Sequence, residues 1–325
     1  MTQQQFEQQH GHFWEQLAAT LTRLETPRRQ TTGDQARSDD FPDDYRRLCH
    51  HLALARQRGY SPGLVTRLNA LVLRGHRQLY SHRPRLSQKM LLFIAAGFPQ
   101  AVRAQWRWHL ASTLAFVIPL ALIWLLIALD PGRVHSVLNP GMVADLEGMY
   151  AGERIDANRG SDDDLLMFGY YIYNNIGVAF RSFAGGLFAG VGALFIMIFN
   201  GGFFGAVAGH LVNINAGEAL FTFVIAHGAP EITAIILAGG AGLRLGVSLV
   251  APGPYRRLTA LRLAARECLP VIYGVFLMLV LAAFIEAFWS PRVLPVSVKY
   301  TVGALCWAAV GLYLGTAGRW RRPGP

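Results

Sequence analysis

The sequence feature that most constrains the fold is a series of long apolar stretches that begins a third of the way along the chain. Several are about 20 residues long, the length that an α-helix needs to cross the hydrocarbon core of a bilayer. Hydrophobic residues make up 52% of the chain and charged residues only 15%, against roughly 25% charged residues in soluble domains. The stretches lie near residues 110–129, 183–213, 219–250, 268–289 and 300–317. They predict an all-α polytopic membrane protein with a bundle of about 4–6 transmembrane helices.

The first 86 residues have the composition of a soluble domain and predict a small helical cytoplasmic module. Residues 1–109 carry 16 Lys+Arg and 8 Asp+Glu. A polar, charged linker at 26–44 separates a short amphipathic helix from two further helices. Asp43 and Asp44 are typical of the start of the second helix, and Pro62 is typical of the first turn of the third. The amino terminus has neither the basic start nor the apolar core of a signal peptide, so none is expected.

Residues 87–109 connect this module to the first apolar stretch. Their apolar part is too short to span a bilayer, and Trp106, Trp108 and Arg107 suit the headgroup region. We therefore expect an interfacial elbow helix here, leading into a transmembrane domain over residues 110–318.

The distribution of charge predicts the orientation in the membrane. The 130–169 segment carries 8 acidic and 3 basic residues, whereas 254–267 and the 319–325 tail are basic. Because basic residues concentrate on the cytoplasmic side, both termini are expected in the cytoplasm, and 130–180 is expected as an outer loop with an amphipathic helix from Ser161. The number of crossings must then be even, so one of the five apolar stretches should not cross completely.

Basic segments that flank apolar ones also argue against nucleic-acid binding.

The stretch FVIAHGAPEITAIILAGGAGLRLG is the natural candidate for the incomplete crossing. Pro230 cannot donate a backbone hydrogen bond, and Gly228 permits any backbone angle. One half-helix is therefore expected to end near Ala226 and a second to begin at Pro230. Glu231 then lies in the first turn of the second half-helix, where a negative charge meets the positive end of the helix dipole. His227 is placed to hydrogen-bond Glu231 or the freed backbone groups.

Ionisable groups at membrane depth are costly and indicate a functional site by default, and three hypotheses for His227 and Glu231 stay open. The pair either satisfies an interrupted helix in a structural role or lines a proton or ion pathway, since transporters build sites at half-helix ends. Metal-dependent hydrolysis is the weakest hypothesis, because H-E-x-x-H is absent and His210 and Glu218 would have to complete the ligand set. No metal, cofactor or catalytic residue is assigned, and the sequence has no P-loop and no G-x-S-x-G turn.

Other polar residues are weaker candidates. Asn174 and Asn175 precede the second apolar stretch, and Asn200 lies in FNGGFFG, where Asn-Gly predicts a turn first and a substrate contact second. Arg244 is expected to mark an interface or pair with a carboxylate, and Glu286 to snorkel or pair near the end of its span. Small residues at four-residue spacing predict close helix packing in lipid. They are Gly186, Gly190, Gly201, Gly205, Gly209, Gly242 and Gly246.

Two stretches resemble the stage II sporulation protein M (SpoIIM) family of integral membrane proteins: NNIGVAFRSFAGGLFAGVGALFIMIFNGGFFG and HGAPEITAIILAGGAGLRLG. The likeness extends over about residues 41–318, and YRRLCHHLALARQRG, LNALVLRGHRQLY and FPQAVR are similar to versions from non-sporulating bacteria. Ala229 and Pro230 depart from the family pattern. These departures affect the expected position of the helix break more than the assignment to the family. The matching positions are Asn174, Asn175, Asn200, Gly201, His227, Gly228, Glu231, Gly239, Gly242, Arg244 and Gly246.

The resemblance implies a protein of the bacterial inner membrane. In spore formers the family member anchors a peptidoglycan-degrading machine, and relatives elsewhere are encoded near a MoxR-type AAA+ ATPase, von Willebrand factor A-type proteins and an RDD-family membrane protein. The leading hypothesis is an inner-membrane scaffold that recruits such partners and forms a homodimer through its small-residue stripes. The rival hypothesis is a transporter or channel-like subunit with its polar site at the broken helix. An intramembrane hydrolase is the weakest hypothesis.

Overall fold

A computed structural model describes residues 1–25, 41–81, 86–150 and 161–319. Every regular element in these ranges is a helix, which confirms the predicted all-α class. The chain divides into two compact units, Met1–Lys89 and Met90–Pro325.

The amino-terminal unit consists of three helices around a core of its own. The helices are α1 (Gln3–Glu25), α2 (Phe41–Gln57) and α3 (Pro62–Ser81). Trp14, Leu48 and Leu68, one from each helix, are almost fully buried and belong to one apolar cluster. The second helix begins at Phe41, so it takes up the last residues of the predicted linker, and residues 26–40 of that linker lie outside the described ranges.

The second unit contains the apolar helices. Five of the described helices are long and apolar enough to cross a membrane: α6 (Trp106–Leu129), α9 (Val191–Asn213), α11 (Gly228–Val250), α12 (Arg257–Phe288) and α13 (Val296–Thr316). A multi-pass membrane protein in contact with the lipid bilayer is therefore confirmed. In chain order the helices are α4 (Leu86–Leu92), which contains the boundary between the units, α5 (Phe98–Ala104), α6 (Trp106–Leu129), α7 (Pro140–Tyr150), α8 (Ser161–Ala184), α9 (Val191–Asn213), α10 (Gly217–Val224), α11 (Gly228–Val250), α12 (Arg257–Phe288) and α13 (Val296–Thr316).

The glycines of α9 let it lie directly against α6. A Cβ added at Gly201 would come within 2.1 Å of the Phe116 carbonyl oxygen, and one at Gly205 within 2.3 Å of the Leu120 carbonyl oxygen. The two backbones are therefore in contact, and the helices run parallel. The turn predicted at Asn200 is wrong, because α9 continues through it and the side chain donates to a carbonyl of its own helix at 2.8 Å. Tight packing and the need to satisfy every backbone group inside a bilayer outweigh the low helix propensity of glycine.

Contacts at their two ends show that α11 and α12 run antiparallel. At one end, Arg244 Nη2 lies 2.8 Å from Glu267 Oε2. At the other end, His227, just before α11, contacts Ser290, just after α12. The bundle therefore has an arginine-bearing end near Arg244 and a second end, near His227, where the helix break lies.

Helix α8 packs lengthwise in the bundle beside α11 and α12. Asp164 in its first turn pairs with Arg292, just beyond the end of α12, with Oδ2 2.5 Å from Nη2. Near its other end, the Ser182 carbonyl oxygen lies against Gly242 of α11, so α8 runs parallel to α11. An amphipathic helix within an outer loop was expected from Ser161. In the structure this helix has polar and backbone partners in the bundle along its length.

The small residues pack against other segments of the same chain, and Gly186 and Gly190 do so from the connection between α8 and α9. A Cβ at Gly186 would come within 2.1 Å of the Gly242 carbonyl oxygen, and one at Gly246 within 2.0 Å of the Gly190 nitrogen. On α9, a Cβ at Gly209 would meet the Trp124 side chain at 3.1 Å, in addition to the two contacts with α6 already described. Because these stripes are filled within one chain, a homodimer would need a different surface from the one predicted.

The connection over residues 87–109 is not one elbow helix. A π-helical turn follows α4, and Gln105, with φ −108° and ψ 20°, separates α5 from α6. The first long helix therefore starts at Trp106, before the predicted start at residue 110. Arg103 on α5 donates to two carbonyl oxygens at the end of α13, 2.6 and 2.7 Å away. It thereby satisfies carbonyl groups that have no partner within their own helix.

Candidate functional site

The helix break in the stretch FVIAHGAP lies at residues 225–227. Helix α10 ends at Val224 and α11 begins at Gly228, two residues before the predicted start at Pro230. Pro230 is the third residue of α11, where the backbone N–H would have no intrahelical partner and proline is tolerated. Helix α11 has 23 residues and by itself has the length and composition of a complete span, contrary to the expected incomplete crossing.

The break brings His227 and Glu231 next to a second carboxylate, Glu286 in the last turn of α12. His227 Nε2 lies 3.9 Å from Glu231 Oε2 and 4.0 Å from Glu286 Oε1. His227 is 4% exposed and Glu286 8%, and the Glu231 side chain is 18% exposed. Within the described ranges, this is the one group of three or more His, Cys, Asp and Glu side chains whose ligand atoms, all within 4.8 Å of one another, are close enough to hold one metal ion.

Of the two hydrogen-bond partners expected for His227, the Glu231 side chain is not one, because it lies 3.9 Å from Nε2. His227 Nδ1 lies 2.9 Å from Ser290 Oγ, and this contact turns Nε2 toward the two carboxylates. The Ser290 carbonyl oxygen in turn accepts a hydrogen bond from Lys299 Nζ at 2.9 Å. Glu231 Oε2 is buried and has no hydrogen-bond partner among the described residues. His227 and Glu231 are therefore close to each other, but their side chains do not form a hydrogen bond.

Two amides on α8 support Glu286. Asn175 Nδ2 donates to Glu286 Oε2 at 3.4 Å, and Asn174 Nδ2 donates to Asn175 Oδ1 at 2.9 Å. These predicted candidates reach the site because α8 packs along α12. Asn175, which is 4% exposed, contacts the cluster directly, and Asn174 holds Asn175 in place.

The chemistry of the cluster follows from its atoms. Both carboxylates offer oxygen lone pairs, and the imidazole offers a nitrogen that faces them at a distance too long for a hydrogen bond. Buried carboxylates are stable only when they are paired, protonated or bound to a cation. Such a group is suited to hold a cation or protons.

The remaining predicted site residues lie elsewhere. His210 Nε2 is 2.9 Å from Glu147 Oε1 on α7. Glu218 is exposed in the first turn of α10, and Arg244 pairs with Glu267 at the opposite end of the bundle. Neither His210 nor Glu218 joins His227, so the ligand set that the hydrolase hypothesis needed is not assembled from them.

Glu286 is the cluster residue that was not predicted as part of the site. It lies in the apolar run LAAFIEAFW and was expected only to snorkel or pair. The available signal was the same one that identified Glu231, an acidic residue inside an otherwise apolar span. Glu286 is far from His227 along the chain, so the sequence did not show that they are neighbours. The antiparallel packing of α11 and α12 brings them together.

These features define a class: a multi-pass α-helical membrane protein with a buried polar cluster beside a helix break. A sequence model of the family described as Stage II sporulation protein M matches residues 112–291, which include the break and the three cluster residues. The chain belongs to this family, as its motifs predicted.

The amino-terminal unit has a family match of its own. The family described as Domain of unknown function (DUF8413) matches residues 4–81, the part of the chain that contains α1, α2 and α3. Comparison with curated proteins and with solved structures gives no significant match. Each of the two family matches falls within one of the two structural units.

Proposed function

We propose that this chain is a scaffold of a bacterial inner-membrane complex, in which the amino-terminal unit recruits a partner protein to the membrane bundle. The observation that carries the proposal is that Met1–Lys89 forms a compact unit with its own core, covalently joined to an apolar bundle. A soluble unit that folds around its own core presents a preformed surface to a partner, which lowers the cost of binding.

Charge favours an acidic partner surface. Residues 1–89 contain 14 Lys+Arg and 8 Asp+Glu, and Arg58 and Arg67 are exposed. Complementary charge raises association rates and excludes wrong partners. Among the partner classes that the family resemblance suggested, which also include von Willebrand factor A-type and RDD-family proteins, we propose a MoxR-type AAA+ ATPase.

The proposed orientation places the arginine-bearing end of the bundle in the cytoplasm. Basic residues flank spans on that side, and the opposite end carries the acidic residues Asp130, Asp163 and Asp164. With α8 as a sixth crossing beside the five apolar helices, the number of crossings is even and both termini are cytoplasmic. Described arginines at the proposed cytoplasmic end include Arg103, Arg107, Arg181, Arg244, Arg256, Arg257, Arg262, Arg266 and Arg319.

The scaffold proposal is tested with the full chain in lipid nanodiscs and a purified MoxR-type AAA+ ATPase from the same organism. We expect saturable binding that weakens at higher salt and that falls when Arg58→Glu and Arg67→Glu are combined. The matched control is Arg133→Glu, which reverses an exposed arginine of the second unit and should leave binding unchanged. Absence of ATPase binding, or equal binding by the double variant, would overturn the proposal.

The buried cluster favours a second candidate function, a transporter or channel-like subunit. Ionisable groups inside a membrane domain are costly and indicate a functional site by default. In that case Glu231→Gln should assemble normally and lose ion-dependent activity. If the chain is a scaffold, Glu231→Gln should lose function only when the complex no longer assembles. Measurements of complex assembly and of ion flux in vesicles therefore distinguish the scaffold from the transporter.

A further inference from the structure

We propose that His227, Glu231 and Glu286 form a binding site for one divalent first-row transition-metal ion, of the Zn²⁺ or Mn²⁺ class. The site lies at the end of the bundle where the chain breaks between α10 and α11. This inference goes beyond partner recruitment and does not depend on it.

The spacing of the ligand atoms fits a metal ion between them. Zinc–nitrogen and zinc–oxygen bonds are each about 2.0–2.2 Å long, so two ligands of one tetrahedral ion lie about 3.3–3.5 Å apart. The His227 Nε2 distances of 3.9 and 4.0 Å to the two carboxylates exceed this spacing by about half an ångström, and all three ligand atoms lie within 4.8 Å of one another. These two distances are too long for a shared proton, because hydrogen bonds between these atoms span about 2.5–3.2 Å. Small side-chain movements would therefore bring the three groups to the spacing of ligands around one ion.

The orientation of the imidazole also favours a cation. The Ser290 hydroxyl lies 2.9 Å from Nδ1, and a protonated Nδ1 that donates to it leaves the Nε2 lone pair facing two carboxylate oxygens. Three acceptors that converge in a buried space repel one another unless a positive ion or protons lie between them, and an ion would satisfy all three at once. A metal-binding histidine usually has its second nitrogen fixed by such a hydrogen bond.

No lysine or arginine among the described residues forms an ion pair with either carboxylate of the cluster. Glu231 Oε2 is buried without a partner among the described residues. The nearby ammonium group of Lys299 is directed to the Ser290 carbonyl oxygen and not to a carboxylate. The amide of Asn175 is a neutral donor to Glu286, of the kind that orients a metal-bound carboxylate.

The ligand types select the class of ion. One imidazole with two carboxylates suits Zn²⁺, Fe²⁺ or Mn²⁺. Ca²⁺ and Mg²⁺ prefer oxygen ligands alone, and Cu⁺ prefers sulfur. Three protein ligands leave coordination positions for water or a small ligand.

The test uses the untagged full-length protein in detergent, titrated with Zn²⁺ in the presence of a competing chelator. Metal content is measured by mass spectrometry. We expect one saturable ion per chain, and a loss of affinity of at least about tenfold in Glu231→Gln and in Glu286→Gln. The control is His210→Gln, which removes another buried histidine next to a glutamate and should bind Zn²⁺ as the wild type does. X-ray absorption of the bound ion should show one imidazole and oxygen donors only.

Variants that do not fold are identified by size-exclusion chromatography. In that event Asn175→Ala, which keeps all three ligands and removes the amide donor to Glu286, should lower the affinity about tenfold. The proposal is overturned by absence of a saturable ion, by glutamine variants that fold and bind Zn²⁺ normally, or by equal loss in His210→Gln.

Discussion

Buried histidines in the two units have different partners, and the difference sets what each residue does. In the amino-terminal unit, Trp14 Nε1 donates to His51 Nδ1 at 3.0 Å, so the imidazole is a satisfied acceptor. In the second unit, His227 Nε2 faces two carboxylates without a hydrogen bond. At the residue scale, His51 therefore contributes to stability, and His227 contributes a candidate ligand.

His51 should make the amino-terminal unit sensitive to acid. Burial, with smaller contributions from the charges of His10, Arg47 and His50, lowers the pKa of His51 from 6.5 to about 4. The unfolded chain therefore takes up a proton near pH 6.5 while the folded unit does not. The stability from this residue is complete above about pH 6.5 and declines toward pH 4, by up to about 3 kcal/mol. Hydrogen exchange of α1 and α2 peptides in the full-length protein, corrected for intrinsic rates, measures the decline.

His51→Gln is the informative variant for this prediction. Glutamine keeps an acceptor for Trp14 and does not titrate, so the decline in protection below pH 6.5 should become shallower. His12→Gln, at an exposed site of α1, should keep the wild-type profile. A wild-type pH profile in His51→Gln would contradict the role assigned to this histidine.

At the scale of elements, glycine positions decide which helices touch. Gly201 lies where α9 meets the α6 backbone, whereas its neighbour Gly202 faces side chains at ordinary contact distance. The small-residue stripes were visible in the sequence, but their packing partners were not. The spacing of small residues shows that a helix face allows close packing, and it does not show which helix packs there.

Gly201→Ala should destabilise the bundle and Gly202→Ala should not. The added Cβ at 201 would come within 2.1 Å of the Phe116 carbonyl oxygen, and the one at 202 stays 3.7 Å from the nearest atom, on Ile123. Overpacking costs about 1–3 kcal/mol, while alanine in a helix gains up to about 1 kcal/mol over glycine. Thermal unfolding of the two purified variants in detergent measures the difference. Equal melting temperatures would show that α6 and α9 do not touch at this point.

At the scale of the whole molecule, α8 decides the topology. It is less apolar than the five candidate spans, yet it runs along α12 from the Asp164–Arg292 pair to the Asn175–Glu286 contact. In the proposed topology α8 is a sixth crossing, and both termini then lie on the same side of the membrane.

Cysteine labelling tests the proposed topology in intact cells. In a chain with Cys49 and Cys306 replaced by alanine, a membrane-impermeant maleimide should label Asp145→Cys. It should not label Leu187→Cys, just beyond α8 and exposed, because the proposed topology places Leu187 in the cytoplasm. Tyr255→Cys, exposed between α11 and α12, is the control for a protected position, and permeabilised cells should label all three. Labelling of Leu187→Cys from outside would mean that α8 does not cross.

Part of the candidate site could be predicted from the sequence. His227 and Glu231 were identified because ionisable residues are costly inside an apolar stretch, and the break was located to within two residues because Gly228 and Pro230 act locally. Glu286 and Ser290 were not identified as partners, since His227 and Ser290 are 63 residues apart. Only the packing of α11 against α12 brings them together.

The sequence by itself determined that the chain is an all-α membrane protein of the stage II sporulation protein M family. Apolar stretches of about 20 residues have the length of spanning helices, in which each backbone group is satisfied within its own segment. The tertiary structure alone decided that α8 joins the bundle, that the glycine stripes pack within one chain, and that a second carboxylate completes the cluster. These outcomes depend on which helix faces meet, and contacts between distant segments leave no local pattern in the sequence.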